Sequence, residues 1–272
     1  RPELTPAIVA ALTAVETRPR TEEMGGGAII NLRGLGATPE DDPDKLVSVR
    51  LWAGRGRVFS VGYRSLAAMD AVCRTMAAGK VRDPGDLIAV LAVTITLSLD
   101  DEVAALGDLL DDCEVRIEPD QHAYGMRRLI GKARADAIAY RRFVVPQRTA
   151  LERLAALDAE WLEEDDRTHL RDAADRFARM GEELEAVRER AALMHEQLTD
   201  LRAEQIDSRT LLLSIVALIF LPLTFITGLL GMNVEGIPFA HAPWAFSGVV
   251  LLCVLIAGAI GAYFIRSHWL KR

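Results

Sequence analysis

The sequence predicts an α+β domain, a partial sheet plus long helices, followed by a long stalk helix that continues into the first of two transmembrane helices. Three observations carry this prediction. Residues 211–230 and 242–265 contain no charged side chain, and each run is long enough to cross a bilayer. Strand-like segments are confined to the stretch before Gly62. From Asp165 to Leu230 the only proline is Pro222 and the only glycines are Gly181 and Gly228, so little interrupts a helix before the first apolar run is complete.

The strands come first. Ala28-Ile29-Ile30-Asn31-Leu32, Leu46 to Trp52 and Arg57 to Val61 are rich in β-branched residues and bounded by turn formers. Ala53-Gly54-Arg55-Gly56 suits a hairpin loop between the last two. Gly25-Gly26-Gly27 precedes a strand instead of opening a helix, so it reads as a flexible turn and not as a phosphate cradle. From Ser65 the spacing becomes helical: Leu66, Met69, Ala71, Val72 and Met76 predict one short helix, ended by Gly79.

Asp83-Pro84-Gly85-Asp86 opens a longer helix, and residues 87–145 predict two long helices broken between Val115 and Asp120, where Pro119 falls. Pro146 predicts a kink or a restart. Beyond Asp166 a single helix of roughly 65 residues would be about 100 Å long, some three times the bilayer core, so most of it must stand outside the membrane. The expected segments are a cytoplasmic α/β domain over 1–145, stalk helices over 146–209, spans over 210–230 and 244–265 joined by a loop over 231–243, and a basic tail over 266–272. The chain starts at Arg1 and not at Met, so the first domain is expected to be N-terminally truncated; no signal peptide is read there.

Charge narrows the function. The formal charge is −7, which disfavours nucleic acid as a partner, since phosphate binding calls for clustered Lys and Arg. Residues 147–209 hold seventeen Asp and Glu against ten Arg and no Lys. The stalk is therefore acidic and suits a cationic ligand. Arg202 and Arg209 precede the first span and Arg266, His268, Lys271 and Arg272 follow the second, whereas the loop between has no Lys or Arg; both termini are expected on the cytoplasmic side. Cys73, Cys113 and Cys253 are too scattered for a zinc site or a disulfide framework and read as packing residues. The histidines are equally scattered, although His241 and Glu235 in the outer loop are candidates to meet an arriving metal. No nucleophile elbow, phosphate loop or dinucleotide fingerprint is present, so no enzymatic activity and no cofactor are expected.

Two apolar helices cannot enclose an aqueous path alone, so a transporter built this way must be an oligomer. Seven-residue steps from Thr210 give Thr210, Ala217, Thr224 and Gly231, small or weakly polar positions on an otherwise Leu/Ile/Phe-rich helix. The same steps backwards give Ala203, Glu196, Glu189 and Glu182. Such steps hold one helix face toward a bundle axis. Two readings stand: a pore lined by Thr hydroxyls above acidic rings, with Leu213 and Leu221 as apolar constrictions, or close helix packing through small residues above a solvated acidic face.

Gly231-Met232-Asn233, placed between two apolar spans, preceded by the long stalk and followed by the basic tail, resembles the signature of the CorA superfamily of divalent metal-ion transporters. The extended form Gly231 to Pro238, with Val234 after Asn233 and Gly236-Ile237-Pro238 following, is similar to the ZntB-like zinc-transport branch, as is Thr17-Arg18-Pro19-Arg20. Glu235 stands where that branch commonly has Gly. The resemblance implies a CorA-like funnel: a homopentamer in the inner membrane, with Asn233 of each subunit ringing a hydrated ion at low affinity, Thr224 on the pore and Glu196 on the inner face of the stalk. It implies Zn²⁺ as the transported ion, with Mg²⁺, Co²⁺, Ni²⁺ and Cd²⁺ as alternatives and a non-conducting membrane-anchored metal sensor or scaffold as the rival reading.

Overall fold

The computed structural model describes residues 4–15, 18–38, 46–54, 56–116, 123–233, 236–237, 239 and 242–266. They fall into two compact units, Arg1–Leu198 and Thr199–Arg272.

The first unit begins with a short helix, α1 (Pro6–Thr13), that starts at the N-cap Thr5 with proline in its first turn. Four antiparallel strands follow in sheet order β1-β2-β3-β4: β1 (Arg20–Met24), β2 (Gly27–Leu35), β3 (Leu46–Gly54) and β4 (Arg57–Gly62). Gly25 and Gly26, both with φ near +70°, make the two-residue loop between β1 and β2. The expected flexible turn is thus a tight hairpin, in a conformation that requires positive φ at both central positions. Ala53 and Gly54 belong to β3, since Gly54 pairs with Arg57, so the second hairpin loop is also two residues long; its Arg55 lies outside the described residues.

Side chains alternate across the sheet as a period of two requires. Ala28, Ile30 and Leu32 of β2 and Val47, Val49, Leu51 and Ala53 of β3 join the main core, together with Ile88, Leu91, Ile95 and Leu99 of α3 (Pro84–Val115). On the opposite face Ile29 and Trp52 are covered by Ile8 and Leu12 of α1. The short helix α2 (Ala68–Ala77) starts after Leu66, which precedes it and bridges to Gly36. Cys113 is buried, but Cys73 on α2 is exposed and Cys253 half-buried, so Cys73 is not the packing residue expected.

Helix α4 (Ala123–Ala155) runs through Pro146 with no restart, which corrects the break expected there. Its next turn carries Gln147, 1% exposed, whose amide accepts from the Arg33 amide N–H at 2.7 Å and donates to the Arg33 carbonyl at 2.9 Å. β1 pairs with β2 only as far as Asn31, so Gln147 does for Arg33 what another strand residue would have done. Helix α5 (Glu164–Leu230, 67 residues) matches the expected uninterrupted helix. Its buried positions up to Leu198 include Leu170, Ala173, Phe177, Met180, Leu184, Val187, Ala191, Met194 and Leu198. Spacings of three and four residues make this a heptad seam, and these side chains belong to the same core as Ile130, Ala137, Tyr140 and Leu151 of α4.

The second unit holds the remainder of α5 and α6 (Ala245–Arg266). The most apolar windows of α5 and α6 are 6% and 0% buried. Large side chains such as Phe220, Phe225, Phe246 and Leu251 are 61–80% exposed. A helix of this length and hydropathy inside a soluble core would be covered, whereas lipid solvates such surface directly.

Candidate functional site

The candidate site is a face of α5. In the first unit Met180, Val187 and Met194 lie in the buried seam. Glu182, Glu189 and Glu196 stand two residues further along each repeat, about 200° around the helix, and all three are exposed. Glu182 and Glu196 make no ion pair among the described residues, and Glu189 is 4.0 Å from Arg188. Other carboxylates nearby are neutralised: Glu185 by Arg141 at 3.1 Å and by Arg188, and Asp111 and Glu114 by Arg190.

In the second unit the partly covered positions of α5 include Ile215, Ile219, Pro222 and Ile226, which repeat at four and three residues and continue the count of the seam. Thr210, Ala217 and Thr224 are exposed, and Ala217 and Thr224 fall two residues on from the partly covered Ile215 and Pro222. Leu213 is 71% and Leu221 70% exposed beside them. The pore-lining candidates therefore share a face that the chain's own packing leaves open.

Their chemistry is defined by backbone bonding. The Thr224 hydroxyl donates to the Phe220 carbonyl at 2.7 Å, and Ser214 donates to the Thr210 carbonyl at 2.8 Å. With the proton committed to the helix, the Thr224 oxygen retains lone pairs that can only accept, which suits a cation or the O–H groups of its hydration shell. Above it Gly231 extends the helical bonding by donating to the Thr227 carbonyl at 2.9 Å. Met232 and Asn233 follow, both exposed. Glu235 and His241 lie outside the described residues.

One cluster escaped the sequence reading. Carboxylate oxygens of Asp83, Asp86 and Asp166 lie within 4.8 Å of one another. Each already has a local partner: Asp83 caps α3 by accepting from the Asp86 N–H at 2.9 Å, Asp86 accepts from the Arg82 N–H at 2.9 Å, and Asp166 reaches back to the Glu163 N–H at 3.0 Å. Two helix starts meet there, and their capping carboxylates account for the cluster. Asp-Pro-Gly-Asp was legible as a cap; its nearness to Asp166 is a product of tertiary packing. Burial, with the charges of Asp83 and Asp86 beside it, pushes the Asp166 carboxyl above its ordinary range.

An exposed acidic helix face that leads in sequence to a hydroxyl-bearing face on an apolar helix long enough to cross a bilayer is compatible with a membrane protein that handles cations. The sequence profile of the family described as CorA-like Mg²⁺ transporter protein matches residues 1–266, and the chain belongs to that family. The zinc transport protein ZntB of Pectobacterium atrosepticum is 32% identical over 266 residues, covering 96% of this chain and 79% of that protein. The full-length CmaX protein superposes with a TM-score of 0.82 at 32% identity, over 99% of this chain and 83% of its own. The CorA magnesium transporter from Methanocaldococcus jannaschii superposes with a TM-score of 0.83 at 19% identity, over 98% of this chain and 84% of its own, and so shows the shared fold. The resemblance read from Gly231 to Pro238 thus extends along the chain.

Proposed function

We propose that this chain is one subunit of a homopentamer in a bacterial inner membrane that conducts a divalent cation, foremost Zn²⁺, through a central pore. The observation that carries the reading is the open face of α5, where Thr210, Ala217 and Thr224 are exposed while Ile215, Ile219 and Ile226 are partly covered. Copies arranged around an axis through that face would supply the ring of protein that two apolar helices lack.

In this reading the cation arrives hydrated at Asn233, whose neutral amide oxygen holds the water shell without binding too tightly to release it. It passes the Thr224 to Thr210 face, with Leu213 and Leu221 as apolar constrictions, and emerges toward Glu196, Glu189 and Glu182. The region 1–145 and the stalk over 146–209 are cytoplasmic, the spans are 210–230 and 244–265, and the loop over 231–243 is extracytoplasmic with Glu235 and His241 on it. The tail over 266–272 returns to the cytoplasm, as the Lys and Arg distribution favours. Zn²⁺ comes from the name of the ZntB relatives. The stripe offers oxygen donors and no thiolate or imidazole, a donor set equally suited to Mg²⁺, so the transported ion is tested by competition among Zn²⁺, Mg²⁺, Co²⁺, Ni²⁺ and Cd²⁺.

The deciding experiment is zinc flux into proteoliposomes. Asn233→Ala should abolish it while the protein still inserts and assembles. Undiminished flux in that variant would remove Asn233 from the pathway, and a protein that inserts as a monomer without any flux would leave only the membrane-anchored sensor.

A further inference from the structure

We propose that the first unit carries a binding pocket for a small tetrahedral oxyanion, inorganic phosphate or sulfate, with Arg50 as its central residue. Arg50, at mid-strand in β3, alternates with Val49 and Leu51 of the main core and is only 1% exposed. Its Nε and Nη1 have no hydrogen-bond partner. The guanidinium lies 4.8 Å from the centre of the Tyr63 ring. That ring attracts the charge through its π face but offers no lone pair.

Burying guanidinium N–H groups without an acceptor is unfavourable, because they give up water and gain no partner. An anion removes that cost. The site for one is open: Arg50 borders a cavity of about 160 Å³ that Arg33, Ser48, Tyr63 and Arg64 also line. No carboxylate lines it among the described residues. Arg33 and Arg64 make further contacts of their own, so the unmet demand for an acceptor belongs to Arg50. Asn31, its cross-strand partner, is 2% exposed and uncharged, and its Oδ1 also lacks a hydrogen-bond partner, so at this position the neighbouring strand supplies a neutral acceptor that is not engaged and no counter-ion. The cavity holds about five water volumes at ~30 Å³ each, enough for a partly hydrated phosphate and too small for a nucleotide.

The proposal is independent of the transport reading, because binding is measured without flux. The full chain in detergent is titrated with inorganic phosphate and, separately, with sulfate and chloride at fixed ionic strength. Thermal unfolding and ³¹P line broadening are followed together. Phosphate and sulfate should raise the melting temperature saturably, and chloride should not. Arg50→Met, close in volume and apolar, removes the buried charge; it should melt no lower than the parent without phosphate and bind phosphate more than about tenfold more weakly. Arg64→Gln, at the exposed rim, should fold normally and change binding much less than Arg50→Met does. Phosphate effects that do not saturate, or line broadening that is equal in the parent, Arg50→Met and Arg64→Gln, would overturn the pocket.

Discussion

Gln147 offers a sharp test of how the sheet is completed. Its side chain satisfies both backbone groups of Arg33 at 2.7 and 2.9 Å, and it is 1% exposed. Gln147→Ala removes both bonds and leaves an N–H and a C=O without their partner. A buried group orphaned in this way costs about 1–3 kcal/mol. Arg33 is only half-buried, so water recovers part of the loss, and a net destabilisation of about 2–4 kcal/mol is expected. In a unit of this size that lowers the melting temperature by about 4–16 °C, at 2–4 °C per kcal/mol. The local assay is hydrogen exchange of a peptide spanning 29–35, where the Arg33 amide should lose protection by at least about tenfold. Gln147→Glu keeps the acceptor, loses the donor and sets a carboxylate against the Arg33 carbonyl, so it should be no better than Ala. Unchanged protection of the Arg33 amide in Gln147→Ala would refute the reasoning, because the bond pair is specific to that residue.

Three further outcomes follow from other parts of the molecule. The raised Asp166 carboxyl binds its proton more tightly folded than unfolded, so its contribution to stability declines as pH rises from the ordinary carboxylate value through the raised one. Asp166→Asn keeps an oxygen for the Glu163 N–H and should melt higher than the parent at neutral pH, with the gap closing in acid; a gap that does not change with pH would sink the assignment. Gly27→Ala places a Cβ 2.9 Å from the Trp52 ring and against the Ala53 carbonyl, and such overpacking should cost about 1–3 kcal/mol by denaturant titration, whereas a neutral effect would mean that the β2–β3 contact is looser than described. Changing Glu182, Glu189 and Glu196 together to Gln should slow cation flux several-fold at low ionic strength, with a difference that shrinks as salt approaches about 0.1 M, where screening reaches about 10 Å; a deficit indifferent to salt would mean the three carboxylates act otherwise than through their field.

Much of the fold was legible because local signals were strong. Asp83-Pro84 announced α3, the lack of breakers gave α5, and uncharged runs gave both apolar helices. β1 was not legible: Arg20-Thr21-Glu22-Glu23-Met24 is a polar edge strand, held by its hairpin to β2 and by a bond from the Thr21 hydroxyl to the Ala150 carbonyl at 2.8 Å. That bond joins residues far apart in sequence and leaves no periodic trace. α1 is only eight residues long, too short for periodicity to declare, and its identity as a lid over Ile29 and Trp52 exists only in three dimensions. Pro146 misled for a related reason. Proline weakens a helix by removing one N–H bond, but Phe143, Val144, Gln147 and Ala150 around it are all buried, and packing on this scale outweighs one lost bond. The Asp83, Asp86 and Asp166 cluster and the buried Arg50 are equally tertiary facts.

The candidate site was legible to a greater degree than the sheet because it is written along one helix. A seven-residue repeat fixes two faces at once: seam positions from Leu170 to Leu198 and stripe positions at Glu182, Glu189 and Glu196 are set apart by the same arithmetic. Sequence alone left close packing and pore lining as equal readings of that stripe. Burial bears only on packing within a single chain. Had the small residues mediated packing of α5 within the chain, Ala217 and Thr224 would be covered and the Ile positions open; instead Ile215, Ile219 and Ile226 are half-covered and Ala217 and Thr224 are exposed. What remains to cover the stripe is either another copy of the helix or an aqueous path. Thr224, with its hydroxyl proton already committed to the Phe220 carbonyl, could offer its lone pairs to the second, and the flux and assembly experiment on Asn233→Ala separates the two.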